Sequence, residues 1–179
     1  MRILAEETLA LAIDFQERLM PVIDDAQELV KKTQILLKGL AMQHIPGLIS
    51  EQYPKGLGDT IPELAECTHW PSLEKTSFSC AMCPEMLEKI RSYGRKNVVI
   101  CGVEAHICVL QTIVDLIAQG FCVVLIADCV GSRNPRDAEI AIARARQEGA
   151  VVTSCESLLF ELAVRKENPC FKELSKLIK

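Results

Sequence analysis

The chain has 179 residues, 49% hydrophobic and 25% charged. At ~150 residues per domain that is room for one domain, residues 1–179, with a core of its own; disordered, collagen-like and fibrous classes are excluded. The net charge of −4 does not suit a nucleic-acid backbone, and no apolar run reaches the ~18 residues of a membrane span, so neither partner is expected.

The stretch from Met1 to Glu7 is acidic and carries no signal-peptide pattern. Thr8–Phe15 (TLALAIDF) is the first short apolar run. Ala26, Leu29, Val30, Thr33, Leu36, Leu37 and Leu40 then share one helical face, and Ile45–Ser50 follows as a weaker run. Glu51–Cys80 is irregular, with five prolines and glycines plus Tyr53 and Trp70, and holds one short strand at Ser72–Lys75. A loop region that long in a compact domain is usually functional. A short helix lies between Met82 and Tyr93, opened by Pro84.

Asn97–Cys101, Phe121–Ala127 and Ala150–Thr153 are further runs rich in Val, Ile and Leu without polar alternation. Such runs read as strands buried on both faces of a parallel sheet. Between them, Cys108–Gln119 is a helix apolar almost all round, which implies cover on two sides and an oligomeric partner on one of them. Ala138, Ala141, Ile142 and Ala145 mark another amphipathic helix. The alternation of strand and helix predicts an open, doubly wound, three-layer α/β/α fold, Rossmann-like, with six parallel strands.

Nine cysteines, several inside buried runs, point to free thiols in a reducing, cytoplasmic setting. Cys80 and Cys83 form a lone CxxC with no second pair to complete a zinc site. His44, His69 and His106 are scattered, so no metal and no cofactor are expected. Gly56-x-Gly58 lacks the strand and helix of a phosphate loop.

Ligands of doubly wound folds bind beyond the carboxyl ends of the strands. The polar residues there are Asp14 and Gln16; Ser50, Glu51 and Gln52; Glu74, Lys75 and Thr76; Glu104, His106 and Cys108; Asp128, Ser132 and Arg133. A carboxylate, an amine and a thiol can meet at this edge. Cys108 opens a helix, where the dipole and a nearby lysine lower a thiol pKa. By spacing alone, an activated nucleophile and three residues that never meet are equally open.

Five segments, in order, carry a resemblance: Asp14-Phe15-Gln16, Glu51-Gln52-Tyr53-Pro54 with Gly56-Leu57-Gly58, Glu74-Lys75-Thr76-Ser77-Phe78, Gly102 to Cys108, and Asp128 to Arg133. Together they resemble the isochorismatase-like cysteine hydrolase superfamily nearly end to end, nearest to isochorismatase domain-containing hydrolases and bacterial stress-type members. The resemblance implies a triad of Asp14, Lys75 and Cys108. It also implies a cis Val103–Glu104 peptide that aims the Glu104 and Cys108 backbone N–H groups at a developing oxyanion.

The loop Ser50–Gly58 lacks the histidines that hold a metal in nicotinamidases of the superfamily. Cys108 stands where true isochorismatases lack a cysteine, which favours C–N hydrolysis over vinyl-ether cleavage. Ala105-His106 replaces a common Thr-Asp pair. Gln16, Glu104 and Trp70 are the expected substrate-binding residues. The expected function is hydrolysis of an amide- or imine-type bond in a small-molecule substrate by a homo-oligomer. The alternative is a non-catalytic oligomeric scaffold that keeps the fold.

Overall fold

The computed structural model describes residues 2–179. Six parallel strands form one sheet: β1 (Thr8–Ile13), β2 (Gly47–Gln52), β3 (Ser72–Lys75), β4 (Asn97–Val103), β5 (Cys122–Gly131) and β6 (Val151–Thr153). Their spatial order is β3-β2-β1-β4-β5-β6. The expected three-layer α/β/α fold is thus the one observed. The order reverses between β1 and β4, and that is the switch point where such sheets open a crevice.

Strand alternation sorts the side chains between two cores. Leu9, Leu11 and Ile13 of β1, with Val98 and Ile100 of β4, face α4 (Pro84–Ser92), α5 (Leu110–Ala118) and α6 (Pro135–Gln147). Ala10 and Ala12, with Val99 and Cys101, face α1 (Ala26–Met42), α7 (Cys155–Ala163) and α8 (Phe171–Ile178). Small alanines on that face give the long α1 room to press Leu36, Leu37 and Leu40 onto the sheet. Gly39 takes this further: a Cβ there would sit 2.7 Å from Leu159 of α7.

Several boundaries differ from the sequence expectation. β1 stops at Ile13 because Asp14 turns into the left-handed region, φ 57°. β2 extends through Glu51 and Gln52 because both pair with β3. β5 continues past Ala127 to Gly131 across an irregularity in its register with β4. The irregular stretch also holds two one-turn helices, α2 (Pro54–Leu57) and α3 (Pro62–Ala65). α7 and α8, which no sequence pattern had marked, cover the α1 side.

α5 is also better covered than its composition implied. Leu110, Ile113 and Leu116 are buried within the chain; of the apolar residues, Val114 and Ile117 are half-buried and Ala118 is exposed. Among the described residues, no helix is long and apolar enough to cross a membrane.

Among the described residues no two cysteines are joined by a disulfide, and five of the nine are buried. Burial pushes Cys101 and Cys129 well above the ordinary thiol value. It also pushes Cys80, with help from the Asp14 charge, to about 11. Above pH ~9 an unfolded thiol ionises while its folded counterpart keeps its proton. The folded state then binds more protons, and stability falls by up to about 1.4 kcal/mol per thiol for each further pH unit. We expect steep destabilisation between pH ~9 and ~11 in urea titrations. Cys101→Ala should flatten that slope by roughly one thiol's share; an unchanged slope would show that Cys101 titrates normally.

Candidate active site

Three strand ends build the site. Asp14 follows β1, Lys75 ends β3, and the loop after β4 carries Glu104 and Cys108. β2 lies between β1 and β3 and brings Ser50 and Gln52 beside them. Asp14 and Ser50 are fully buried, and the Lys75 side chain has no exposed surface. The Lys75 ammonium donates to Asp14 Oδ2 at 2.7 Å and to Gln52 Oε1 at 2.7 Å. The Ser50 hydroxyl donates to Asp14 Oδ1 at 2.6 Å. Asp14 and the Cys108 thiol line one cavity and lie close enough for each to shift the other's titration.

The loop that carries Cys108 is shaped by its backbone. Gly102 has φ 149°, and a Cβ there would lie 2.5 Å from the Ile13 carbonyl oxygen. Only glycine lets β4 end this close to β1. The Val103–Glu104 peptide is cis, as the resemblance implied. Ala105–Val109 then forms a π-helical turn ahead of α5, so Cys108 lies inside a wide turn rather than opening an α-helix.

The electrostatics correct the dipole expectation for Cys108. Burial raises its pKa, and the negative Asp14 raises it further; Lys75 opposes both and loses. Most of the lysine's field is already taken up by the carboxylate that it touches. Cys108 therefore rests as a thiol. Asp14 is itself raised by burial, against the pull of Lys75 and of the hydrogen bonds from Lys75 and Ser50. That makes it a stronger base than an exposed aspartate. Burial works to lower Lys75, but Asp14, Cys80 and Cys108 outweigh it, and the ammonium stays charged.

Asp14, Cys108, Gln52 and Glu104 line a cavity of about 120 Å³, walled by Leu19, Leu57, Phe78 and Ile107. The Glu104 carboxylate, 5% exposed, accepts the Arg133 backbone N–H at 2.9 Å and its Nε at 3.1 Å.

Two of the expected substrate-binding residues have other work. Gln16 is fully buried: its Nε2 donates to the carbonyls of Gln52 and Gly58, and its Oε1 accepts the Gln52 N–H. It ties the loop after β2 to β1. Trp70 packs over Gly47 at the start of β2, the opposite end of the strand from Gln52, so it does not wall this cavity. His106 bonds Ser132 at 2.9 Å through Nδ1, while His44 and His69 are exposed. Among the described residues, no group of three His, Cys, Asp or Glu side chains could hold a metal ion.

Ser50 and Gln52 were visible as strand-end polar residues, but nothing in the sequence assigned their partners. The cavity walls Leu19, Leu57, Phe78 and Ile107 are isolated apolar residues in loops and turns, and no periodicity marks them.

A parallel α/β/α sheet with a buried carboxylate, amine and thiol at its switch point defines a class of hydrolase-like α/β proteins. Within that class the isochorismatase domain matches residues 8–157, and the chain belongs to the isochorismatase family. It is 38% identical over 172 residues to isochorismatase domain-containing protein 1 of Salmo salar, covering 96% of this chain and 61% of that protein. The chain thus spans less than two thirds of that relative. It is 36% identical to isochorismatase domain-containing protein 2 of Homo sapiens, covering 99% of this chain and 86% of that one.

Among solved structures, the MAR1 ribonuclease of Caenorhabditis elegans superposes with a TM-score of 0.92 at 35% identity, covering 99% of this chain and 92% of that chain. The YcaC gene product of Escherichia coli, an octameric hydrolase of unknown specificity, superposes with a TM-score of 0.93, covering 99% and 89%. At 21% identity that second likeness shows the fold alone.

The buried pair predicts a double-mutant result. Lys75→Met leaves Asp14 charged and unpaired in the interior and should cost about 3–5 kcal/mol of stability. Adding Asp14→Asn removes that orphan charge, so the double variant should regain most of the loss. Additive losses in urea titration would show that the two groups do not sense each other.

Proposed function

We propose that the protein is a cysteine hydrolase that cleaves a C–N bond of a small molecule through Asp14, Lys75 and Cys108. The observation that carries this reading is the meeting of the three, from three separate strand ends, beside one cavity. The Cys108 proton passes to Asp14 as sulfur attacks the carbonyl carbon. The backbone N–H groups of Glu104 and Cys108 receive the developing oxyanion. Collapse breaks the C–N bond, and Asp14 returns its proton to the departing ammonia or amine. Water, deprotonated by Asp14, then cleaves the thioester and restores the thiol. Lys75 holds Asp14 in place and balances its charge throughout.

Cys108→Ala should reduce amide hydrolysis at least ~10³-fold while leaving the urea midpoint nearly unchanged. Ammonia release across a panel of simple amides measures this. Equal activity in wild type and variant would place the chemistry elsewhere, and no release from any amide would favour the non-catalytic scaffold.

The likeness to a MAR1 ribonuclease favours a second reading, phosphodiester cleavage. Against it stand the −4 net charge and a cavity that no lysine or arginine lines. RNA cleavage lost with Cys108→Ala would reinstate it.

The same proposal includes a closed homo-oligomer in a reducing, cytoplasmic setting, which suits the free thiols, the half-buried Val114 and Ile117, and the exposed Tyr53 and Phe78. A monomer in light scattering at micromolar concentration would remove the oligomer.

A further inference from the structure

We propose that the cavity selects substrates whose acyl group carries no charge, and that Glu104 sets this preference by holding Arg133 out of the site. The inference rests on the cysteine-hydrolase reading for its chemistry, but not for its selectivity.

The charged groups at the cavity are already matched. Asp14 and Glu104 are its two carboxylates, and no lysine or arginine is among its lining residues. Lys75 is not among those lining residues and has given two of its three N–H donors, to Asp14 and Gln52. Arg133 has given its backbone N–H and its Nε to Glu104. A substrate carboxylate or phosphate would therefore enter a small space without a free cation, facing two carboxylates. An unpaired charge in such a place is rejected rather than merely tolerated. The remaining walls, Leu19, Leu57, Phe78 and Ile107, suit a short apolar body. The substrate class that fits is a small neutral amide with an aliphatic or aromatic acyl group.

Glu104 is the specificity-determining residue because it lines the cavity and holds the Arg133 guanidinium. The Arg133 side chain is 59% exposed and its partner carboxylate only 5%. Without that carboxylate, the guanidinium would be free to pair with an incoming anion. Two substitutions then push in opposite directions. Glu104→Gln releases Arg133 and should admit anions. Arg133→Gln leaves the Glu104 charge uncompensated and should exclude them more strongly.

The test has two arms. The first compares ammonia release from butyramide with release from succinamate, its carboxylate-bearing counterpart. The second compares Cys108 alkylation by iodoacetamide with that by iodoacetate, read by mass spectrometry. Each alkylation rate is divided by the rate for the same cysteine in urea-unfolded protein. Wild type should favour the neutral reagent by about 100-fold in each arm. Glu104→Gln should reduce that ratio at least ~10-fold, and Arg133→Gln should raise it.

A wild-type alkylation ratio near one, no Cys108 alkylation by either reagent, or no response to either substitution overturns the inference. Should Glu104→Gln fail to fold, the direction of the Arg133→Gln change still decides. Selective alkylation without turnover of any amide would overturn the hydrolase reading and leave the selectivity standing. Turnover of both amides at equal rates, with unselective alkylation, would do the reverse.

Discussion

The buried contact between Lys75 and Asp14 is the interaction on which the site depends. Two opposite charges with no exposed side-chain surface require each other: either one alone would be an uncompensated charge in the interior. The Ser50 hydroxyl donates to the other carboxylate oxygen, and the Gln52 amide oxygen accepts a second ammonium N–H. Their presence fixes which carboxylate oxygen meets the ammonium and which meets the hydroxyl, and leaves the group a defined orientation toward the thiol. The pair also bears on the resting state of Cys108. Burial and the negative Asp14 outweigh Lys75, and the sulfur keeps its proton.

The sheet supplies the positions. Asp14 and the loop from Val103 to Cys108 flank the point where strand order reverses, so the crevice follows from topology rather than from any one side chain. Lys75 comes from β3, two strands away from β1 on the side opposite β4, and its length lets it reach across β2 to Asp14. Three segments that are far apart in sequence therefore share one polar cluster between the two apolar cores.

Much of the fold could be read from the sequence because buried parallel strands leave continuous apolar runs, as in Thr8–Ile13 and Asn97–Cys101. The ends of elements were less legible. Asp14 takes a left-handed conformation that periodicity cannot show, and the π-helical turn at Ala105–Val109 looks in sequence like the first turn of an ordinary helix. The same limit applied to the site. Asp14, Lys75 and Cys108 could be named from strand ends and resemblance, but partnership depends on side chains crossing between strands. Gln16 looked available because it is polar and near Asp14; in the structure its amide bonds three backbone groups. Trp70 looked like a wall because it lies in the long loop, yet that loop crosses both ends of β2.

Gly102 has a consequence for how this scaffold can diverge. It lets the β4 backbone touch the β1 backbone next to Asp14, so the spacing between Asp14 and the loop that carries Cys108 is set by main chain against main chain. Leu19, Leu57, Phe78 and Ile107 belong instead to turns and connecting segments, outside every strand. Leu19, Leu57 and Phe78 thus sit on segments separate from Asp14 and Cys108, while Ile107 shares the turn of Cys108. Three of the four walls can change in size or shape without displacing the carboxylate or the sulfur.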